Sequence, residues 1–203
     1  MNQQFDVLII GGGAAGMSCA LVLGSAVDKA FAHNKKIGIV MHQKTSHLQT
    51  ALFNNVLGFT PKTLGVDILT DGKLQLKNSY PHVQQIKGEK VCRIHTNTAG
   101  YQIETNKHSY TSALVVVATG YAQPFLIEGL DNYVHPHPKA KKEKNRVWLQ
   151  NKDHLVADGL YVAGTLAGWR SQYAIACGSG AAVATDILTL WNNGEHSKVH
   201  DKV

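Results

Sequence analysis

A strand that runs directly into a glycine-rich turn and a helix is the feature of this sequence that most constrains its fold. Phe5–Ile10 is an apolar run broken only at Asp6, typical of a buried parallel strand, and Gly11-Gly12-Gly13-Ala14-Ala15-Gly16 follows it at once. In the pattern G-x-G-x-x-G, Gly11 permits the tight turn, Gly13 leaves room for a pyrophosphate, and Gly16 lets helix and strand pack closely. The free N–H groups at the start of the helix favour phosphate charge. This context predicts a dinucleotide-binding fold rather than a merely glycine-rich turn.

The order of the apolar segments predicts a single α/β Rossmann-like domain, a parallel sheet with a small antiparallel β-meander. A helix is expected from about Ala14 to Val27 and a second strand at Ile37–Met41, which together complete a βαβ unit. Thr45–Phe59 is expected to be irregular. The other expected elements are a helix at Gly65–Leu76, short strands at Val91–Thr96, Tyr101–Thr105 and Ser109–Thr111, a buried strand at Ala113–Ala118, strands at Arg146–Gln150 and Gly159–Ala163, and a helix at about Gln172–Trp191.

The length of the chain favours one domain. With 203 residues, of which 44% are hydrophobic, it can bury one substantial core. We assign residues 1–191 to the domain and residues 192–203 to a polar C-terminal tail that frays.

The composition speaks against several classes of protein. The longest apolar runs, Val7–Ile10 and Ala113–Ala118, are far shorter than the roughly 20 residues of a membrane span. The N-terminus has no basic region, so we expect no signal peptide. Cys19, Cys92 and Cys177 form no CxxC motif, which indicates neither a disulfide framework nor a zinc site. A reducing cytoplasm is therefore the expected location.

Much of the formal charge of +6 lies in one stretch, Lys139–Arg146. Such a run is usually a solvated loop. The alternative is a docking patch for an acidic partner, such as an electron-carrier protein. Nucleic acid is not an expected partner, because no aromatic residues alternate with these lysines as a stacking platform requires.

Several segments, taken in order, resemble the thioredoxin reductase-like FAD flavoproteins within the pyridine nucleotide-disulfide oxidoreductases. Together they cover most of the chain, which makes the combination more specific than any single motif. The segments are Phe5–Gly16, similar to the ADP-binding start; Asn55–Phe59, similar to Asn-x-Pro-Gly-Phe but with Leu57 at the usual proline; Leu114–Gly120, which ends in Ala-Thr-Gly; Asp158–Thr165, similar to the second FAD signature; and Ser171–Ala181, similar to the final helix.

This resemblance implies that the cofactor is FAD rather than NAD, and it implies which residues bind it. The pyrophosphate would meet Gly11, Gly13, Ala14, Ala15 and Gly16. The ribose and adenine would lie near Met41, His42 and Val91, with the turn Ala118-Thr119-Gly120 close by. Gly164 and Thr165 would lie at the ribityl chain, and Asn55, Gln172 and Tyr173 at the isoalloxazine ring. The start of the Gln172 helix would favour the negative charge of a reduced flavin.

The sequence departs from the family pattern in ways that affect function. Full-length relatives insert an NADPH-binding domain after the Ala-Thr-Gly strand, but only about 40 residues separate Gly120 from Gly159, too few for such a domain. A second G-x-G-x-x-G and the family's dithiol are also absent. Val40-Met41-His42 lacks the acidic residue that commonly binds the ribose, and Thr165 replaces an aspartate, so looser FAD binding is expected.

Three functions remain open from the sequence. The first is a small FAD-dependent oxidoreductase that transfers electrons or hydride without an internal dithiol, using NAD(P)H or an acidic electron-carrier protein as donor. The second is a non-catalytic FAD-binding redox sensor or electron-transfer subunit. The third, less favoured, is an NAD-dependent dehydrogenase, which would leave the Gly164–Gly180 region without a role. The sequence leaves both a monomer and a homodimer open.

No side chain is assigned as a catalytic acid, base or nucleophile. Cys177 is interpreted as a buried packing residue rather than a redox thiol. His135 and His137 lack a third metal ligand, so we predict no metal site and a loop there. His42 and His47 are lone histidines that would approach the cofactor only if the chain brings them to it.

Overall fold

The structure is a computed structural model that describes residues 3–44, 46–122, 124–197 and 199. These residues form the helices α1 (Ala14–Gly24), α2 (Gly65–Ser79) and α3 (Tyr173–Trp191). The strands in chain order are β1 (Gln3–Ile10), β2 (Ile37–Met41), β3 (Leu52–Phe53), β4 (Thr63–Leu64), β5 (Gln84–Lys87), β6 (Val91–Asn97), β7 (Gly100–Thr105), β8 (Ser109–Val117), β9 (Val134–Pro136), β10 (Val147–Leu149), β11 (Leu155–Ala157) and β12 (Leu160–Val162).

The main sheet is built outward from β1. This strand is parallel to β2 on one side and to β8 on the other. The strand β5 extends the parallel sheet beyond β2, β12 extends it beyond β8, and β11 pairs antiparallel with β12 at that edge. The strands β6 and β7 join the start of β8 as an antiparallel meander. The predicted α/β fold, a mainly parallel sheet with a small meander, is confirmed.

Both faces of the sheet are covered, which explains the uninterrupted apolar run Val7–Ile10 of β1. Val7 and Ile9 pack in a core with α1 and α3. Leu8 and Ile10 pack in a second core with the meander and β10. A buried side chain of this size contributes about 1.5–3 kcal/mol. Both faces therefore favour apolar residues at Val7–Ile10.

The strand β8 differs from the prediction. Ser109–Thr111 and Ala113–Ala118 were predicted as two strands, but Ser109–Val117 is one. The buried Ser112 lies inside it, and its hydroxyl donates a hydrogen bond to the carbonyl oxygen of Leu114 at 2.6 Å. A polar residue whose hydroxyl is satisfied in this way does not interrupt a strand.

The segment between β8 and β11 holds the predicted strand near Arg146–Gln150, but that strand lies outside the main sheet. It is β10, and it forms a two-stranded antiparallel sheet with β9. Within residues 118–122 and 124–154, the structure contains this hairpin, the short 3-10 turns Asp131–Tyr133 and Lys142–Lys144, and isolated β-bridges at Glu128 and Lys152. A βαβ unit for a second nucleotide is not formed in that part of the chain.

The helix α3 is long and apolar enough to cross a bilayer by length and composition, with a mean hydropathy of 1.4 over an 18-residue window. This helix is not among the longest apolar runs of the sequence, because small residues interrupt its apolar residues. In this fold the helix packs on α1 and the sheet, and its buried residues include Val183, Ala184, Ile187 and Leu188. About a third of the apolar window is buried in this packing, which accounts for part of the composition of the helix.

The chain after α3 turns back toward the domain. Ser197 is buried, and its hydroxyl donates to the carbonyl oxygen of Leu188 at 3.3 Å. Val199 packs against the core that α1 and α3 share. At these two positions the predicted fraying tail is instead in contact with the domain. The predicted domain boundary after residue 191 stays a prediction.

Candidate functional site

A cleft of about 440 Å³ opens at the carboxyl ends of the parallel strands. Ile10, Ala118 and Ala163, which end β1, β8 and β12 or follow them directly, lie in its wall. In open parallel sheets this edge is where ligands bind. The volume is within the usual range for sites that hold a small molecule.

The glycine turn forms the floor of the cleft, and each glycine has a different spatial role. At Gly11, where φ is +115°, a Cβ would overlap the carbonyl oxygen of Ala118. At Gly16 it would overlap the carbonyl oxygen of Gly11. At Gly13 it would meet nothing nearer than Ser46 Oγ at 3.8 Å. The first two glycines therefore allow close packing, whereas Gly13 keeps the cleft open.

The start of α1 faces this open space. Gly13 is the N-cap of the helix, and no side chain caps it. The first N–H groups of an α-helix have no partner within the helix, so here they are available to an anionic ligand.

Most residues that the resemblance assigned to FAD lie together in the wall of the cleft. They are Gly11, Gly13, Ala14, Ala15, His42, Val91, Ala118, Thr119, Gly120, Gly164, Thr165, Gln172 and Tyr173. Gly16 lies behind the turn, and Met41 is buried beneath Gly12, where a Cβ would be 2.6 Å from Met41 Cγ. The individual contacts with FAD stay predictions.

Asn55 is a further predicted residue that lies outside the cleft wall. It is exposed in the loop between β3 and β4. The next residues also face outward, with Leu57 fully exposed and Gly58 at φ +85°. A proline at position 57 would fix φ near −65°, whereas leucine does not constrain it. Asn55 therefore lies away from the cleft wall, and its predicted contact with the flavin ring stays a prediction.

The end of β2 carries an unpaired polar atom toward the cleft. His42 Nδ1 is buried and has no hydrogen-bond partner among the described residues. The adjacent Gln43 has φ of 58°, and its Nε2 donates to the carbonyl oxygen of Gly12 at 2.6 Å. An unpaired buried nitrogen costs about 1–3 kcal/mol unless a ligand satisfies it. His42 thus offers one hydrogen bond where the sequence lacks the usual acidic residue.

Several cleft residues were not predicted as FAD contacts from the sequence. Ser46, Glu89, Lys90 and Tyr121 line the cleft beside predicted positions, as does His47. Their positions next to predicted contacts were the only signal available. His47 had been identified as a histidine that would approach the cofactor only if the fold allowed it.

An aromatic and basic cluster lies at one side of the cleft. The ring of Tyr121 contacts His47 edge-on, with centroids 5.4 Å apart, and contacts His137 at 5.3 Å. The guanidinium of Arg146 lies 4.9 Å from the centroid of Tyr121. Burial, and secondarily the charge of Arg146, lowers the pKa of His47. His47 is therefore a neutral imidazole near neutral pH.

The start of α3 carries a second aromatic cluster. Tyr173 packs against Phe53 and Phe59, with ring centroids 5.2 and 5.1 Å away. Burial raises the pKa of Tyr173, and the neighbouring Cys177, which hydrogen-bonds to it, raises it further. Cys177 is only partly buried, so it is not the buried packing residue that the sequence suggested.

Glu89 joins the cleft to the meander, and its loss is expected to destabilise both. Its carboxylate accepts hydrogen bonds from Thr105 Oγ1 at 2.7 Å and Tyr110 Oη at 3.0 Å, and His108 Nδ1 lies 2.8 Å away. Burial acts to raise the pKa of Glu89, but these three hydrogen bonds outweigh it and lower the pKa. We expect Glu89→Gln to lower the free energy of unfolding at pH 7 by about 1–3 kcal/mol.

The pH dependence of this effect has a definite sign. Because the folded pKa of Glu89 lies below the unfolded value of about 4.3, the unfolded state binds more protons in that range. The stabilisation is present above the unfolded pKa and is lost as pH falls through the folded pKa. Urea unfolding of the native protein and of Glu89→Gln should show the difference between their free energies of unfolding decreasing from pH 7 to pH 3. A constant difference would contradict this assignment.

These features fit FAD, the cofactor that the resemblance implies. The uncapped start of α1 beside the open Gly13 suits a pyrophosphate, and the unpaired Nδ1 of His42 suits a ribose hydroxyl. Lys90 and Val91 extend the same wall past β2. The cleft therefore provides groups that suit the pyrophosphate and a ribose hydroxyl of the dinucleotide.

Comparisons with known proteins agree with this geometry. A search of curated proteins gave no match, whereas residues 5–178 match the family Pyridine nucleotide-disulphide oxidoreductase. Similar solved structures include a thioredoxin reductase from Gloeobacter violaceus, with 13% identity, TM-score 0.74, and 100% of this chain and 99% of that chain covered. An oxidoreductase from Agrobacterium tumefaciens has 15% identity, TM-score 0.72, and 95% and 100% covered. A ferredoxin-flavin thioredoxin reductase from Clostridium acetobutylicum has 18% identity, TM-score 0.67, and 95% and 100% covered.

At these identities the solved structures establish the fold, and the family match covers most of the chain. The family predicted from the ordered motifs is confirmed, and with it the predicted cofactor. The chain belongs to the pyridine nucleotide-disulphide oxidoreductase family and is an FAD-dependent oxidoreductase.

Proposed function

We propose that this flavoprotein exchanges electrons with an external partner directly at FAD, without an internal dithiol. The observation that carries the proposal is the position of the cysteines. Cys19 is buried in α1, Cys92 lies on β6 and Cys177 on α3, and each is a free thiol. Among the described residues that line the cleft, none is a cysteine. When bound, FAD supplies the redox chemistry, and the chain supplies binding, orientation and electrostatics.

The basic loop, Lys139–Arg146, supports an acidic electron-carrier protein as the partner. Its two ends are fixed, because Lys139 Nζ lies 4.5 Å from the ring centroid of Trp169 and Arg146 packs on Tyr121. Lys141, Lys142 and Lys144 between them are exposed. Since Tyr121 also lines the cleft, a carrier bound to this loop would lie beside the cofactor. NAD(P)H, in contrast, would lack the remote contacts that normally position it.

The test is anaerobic stopped-flow reduction of the bound flavin, by NADH, by NADPH and by an acidic ferredoxin across a salt series. We expect slow reduction by either nucleotide without saturation. Reduction by the acidic carrier should be faster and should slow steeply as salt rises, because exposed charges are screened within about 10 Å at 0.1 M. Replacing all three cysteines by serine should leave this rate unchanged.

A matched pair of charge variants distinguishes docking at the basic loop from a general effect of the net charge of the protein. Changing Lys141, Lys142 and Lys144 together to Gln should slow reduction by the carrier and flatten its salt dependence. The same change at the exposed Lys29, Lys77 and Lys107, elsewhere on the surface, should have little effect. Tight and rapid reduction by one nucleotide would instead make the protein a self-contained reductase. Failure of every donor would favour the alternative, a non-catalytic redox sensor or electron-transfer subunit.

A further inference from the structure

The 3-10 turn Gly164–Ala167 lies in the cleft wall and is held by side chains from other parts of the chain. Gly164 and Gly168, at its two ends, have φ of +74° and +88°, and the N-cap residue Ala163 makes no side-chain hydrogen bond to the turn. The carbonyl oxygen of Ala167 accepts from Asn151 Nδ2 at 3.3 Å. Thr165 replaces the family's aspartate here, so the shape of the turn depends on what holds its backbone.

His137 holds one side of this turn. Its Nδ1 accepts the backbone N–H of Lys139 at 3.1 Å, so the ring proton must be on Nε2. Nε2 lies 3.0 Å from the carbonyl oxygen of Thr165 and donates to it. The imidazole is buried. Through these two hydrogen bonds it bridges the basic loop and the cofactor segment as a neutral group.

His154 holds the other side through a hydroxyl. Trp169 Nε1, which is only a donor, lies 3.1 Å from His154 Nε2, so this nitrogen is an acceptor. Ser179 Oγ lies 2.9 Å from the same nitrogen and accepts the N–H of Gly164 at 2.8 Å. The hydroxyl of Ser179 thus links His154 to the backbone amide of Gly164, whose N–H it accepts. His154 has the opposite tautomer to His137.

We propose that His137 and His154 are positioning residues for FAD. As neutral imidazoles of opposite tautomer, they fix the carbonyl of Thr165 and the amide of Gly164 in the conformation that binds the cofactor. Both are outside the cleft wall, so they act through the turn and not by contact. Burial lowers the pKa of each, which keeps the required neutral forms. The inference concerns cofactor binding and holds for any electron donor, so it does not depend on the acidic carrier.

The test is the dissociation constant of FAD from the apoprotein, measured by flavin fluorescence, for three variants and a control. His137→Leu removes the hydrogen bond to Thr165, and Ser179→Ala removes the link from His154 to Gly164. Each should weaken FAD binding about tenfold. His137→Gln, which keeps an N–H donor near the Nε2 position, should bind within about threefold of the native protein. His135→Leu changes an exposed histidine in the same hairpin and should have no effect.

A second measurement separates positioning from general stability. Hydrogen–deuterium exchange of the apoprotein should be faster over residues 164–168 in His137→Leu and Ser179→Ala, and unchanged in the central sheet. If His137→Leu does not fold, Ser179→Ala carries the test, since it removes a single oxygen from a helix. Native FAD affinity in Ser179→Ala would overturn the proposal. So would equal losses in His137→Leu and His137→Gln, because volume alone would then explain them.

Discussion

Gly13→Leu is expected to leave the domain folded while weakening FAD binding by at least about 100-fold. The backbone of Gly13 has φ of −83°, which a leucine adopts without strain. A Cβ there has no neighbour within 3.8 Å, so the side chain extends into the cleft where the pyrophosphate is expected to bind. A hundredfold loss corresponds to about 2.7 kcal/mol. The flavin absorbance of the purified variant measures how much FAD it retains, and circular dichroism measures whether it is folded.

Gly16→Ala provides the contrast within the same turn. A Cβ at position 16 would overlap the carbonyl oxygen of Gly11 and lie 3.0 Å from its carbonyl carbon. Because both are backbone atoms, this change should lower stability as well as FAD binding. Gly13→Leu protein that still retains one FAD per chain would show that the assignment of the turn is wrong.

Gly180→Ala is expected to lower the free energy of unfolding by about 3 kcal/mol, at the upper end of overpacking effects. Where α3 crosses α1, a Cβ on Gly180 would overlap the carbonyl oxygen of Ala15 and lie 2.7 Å from its carbonyl carbon. Neither backbone can move without displacing a helix that packs on the sheet. For a domain of this size, such a loss lowers the melting temperature by about 6–12 °C.

Gly178→Ala, two residues earlier in α3, is the matched control. A Cβ at this exposed position would meet nothing within 4 Å. Alanine is the better helix former, so this variant should gain about 0.5–1 kcal/mol. Scanning calorimetry of the two variants measures the expected loss of stability in Gly180→Ala and the expected gain in Gly178→Ala. Similar melting temperatures would contradict the close approach of the two helices.

The centre of the fold was predictable because its signals are local. The turn after β1 requires glycines at fixed offsets, and a strand buried on both faces requires an unbroken apolar run. The strand β5 was not predicted, since Ile86 is its one buried residue and the strand lies at the sheet edge. The pairing of β9 with β10 depends on contacts between distant segments, which periodicity does not reveal.

The candidate site was likewise predictable from the sequence only in part. The motif residues of the cleft wall could be placed from ordered resemblance, because the family fixes their order along the chain. The link from Glu89 to Thr105 and Tyr110 could not, since it joins β7 and β8 through polar side chains that no spacing identifies. His137 was considered only as part of a metal pair, although its role in the structure is to hold a backbone carbonyl.

The position of β1 in the sheet has a consequence for the synthesis of the protein. The glycine turn is made early on the ribosome, but β1 must pair with β8, which places Val7 beside Leu114. The opposite wall of the cleft, which contains Gly164 and the start of α3, is synthesised after β8. Since domains emerge N-terminus first and distant pairings form slowly, the nascent chain has no closed cleft until most of it has left the ribosome. FAD therefore finds both walls of its cleft only after the chain as far as the start of α3 has been made.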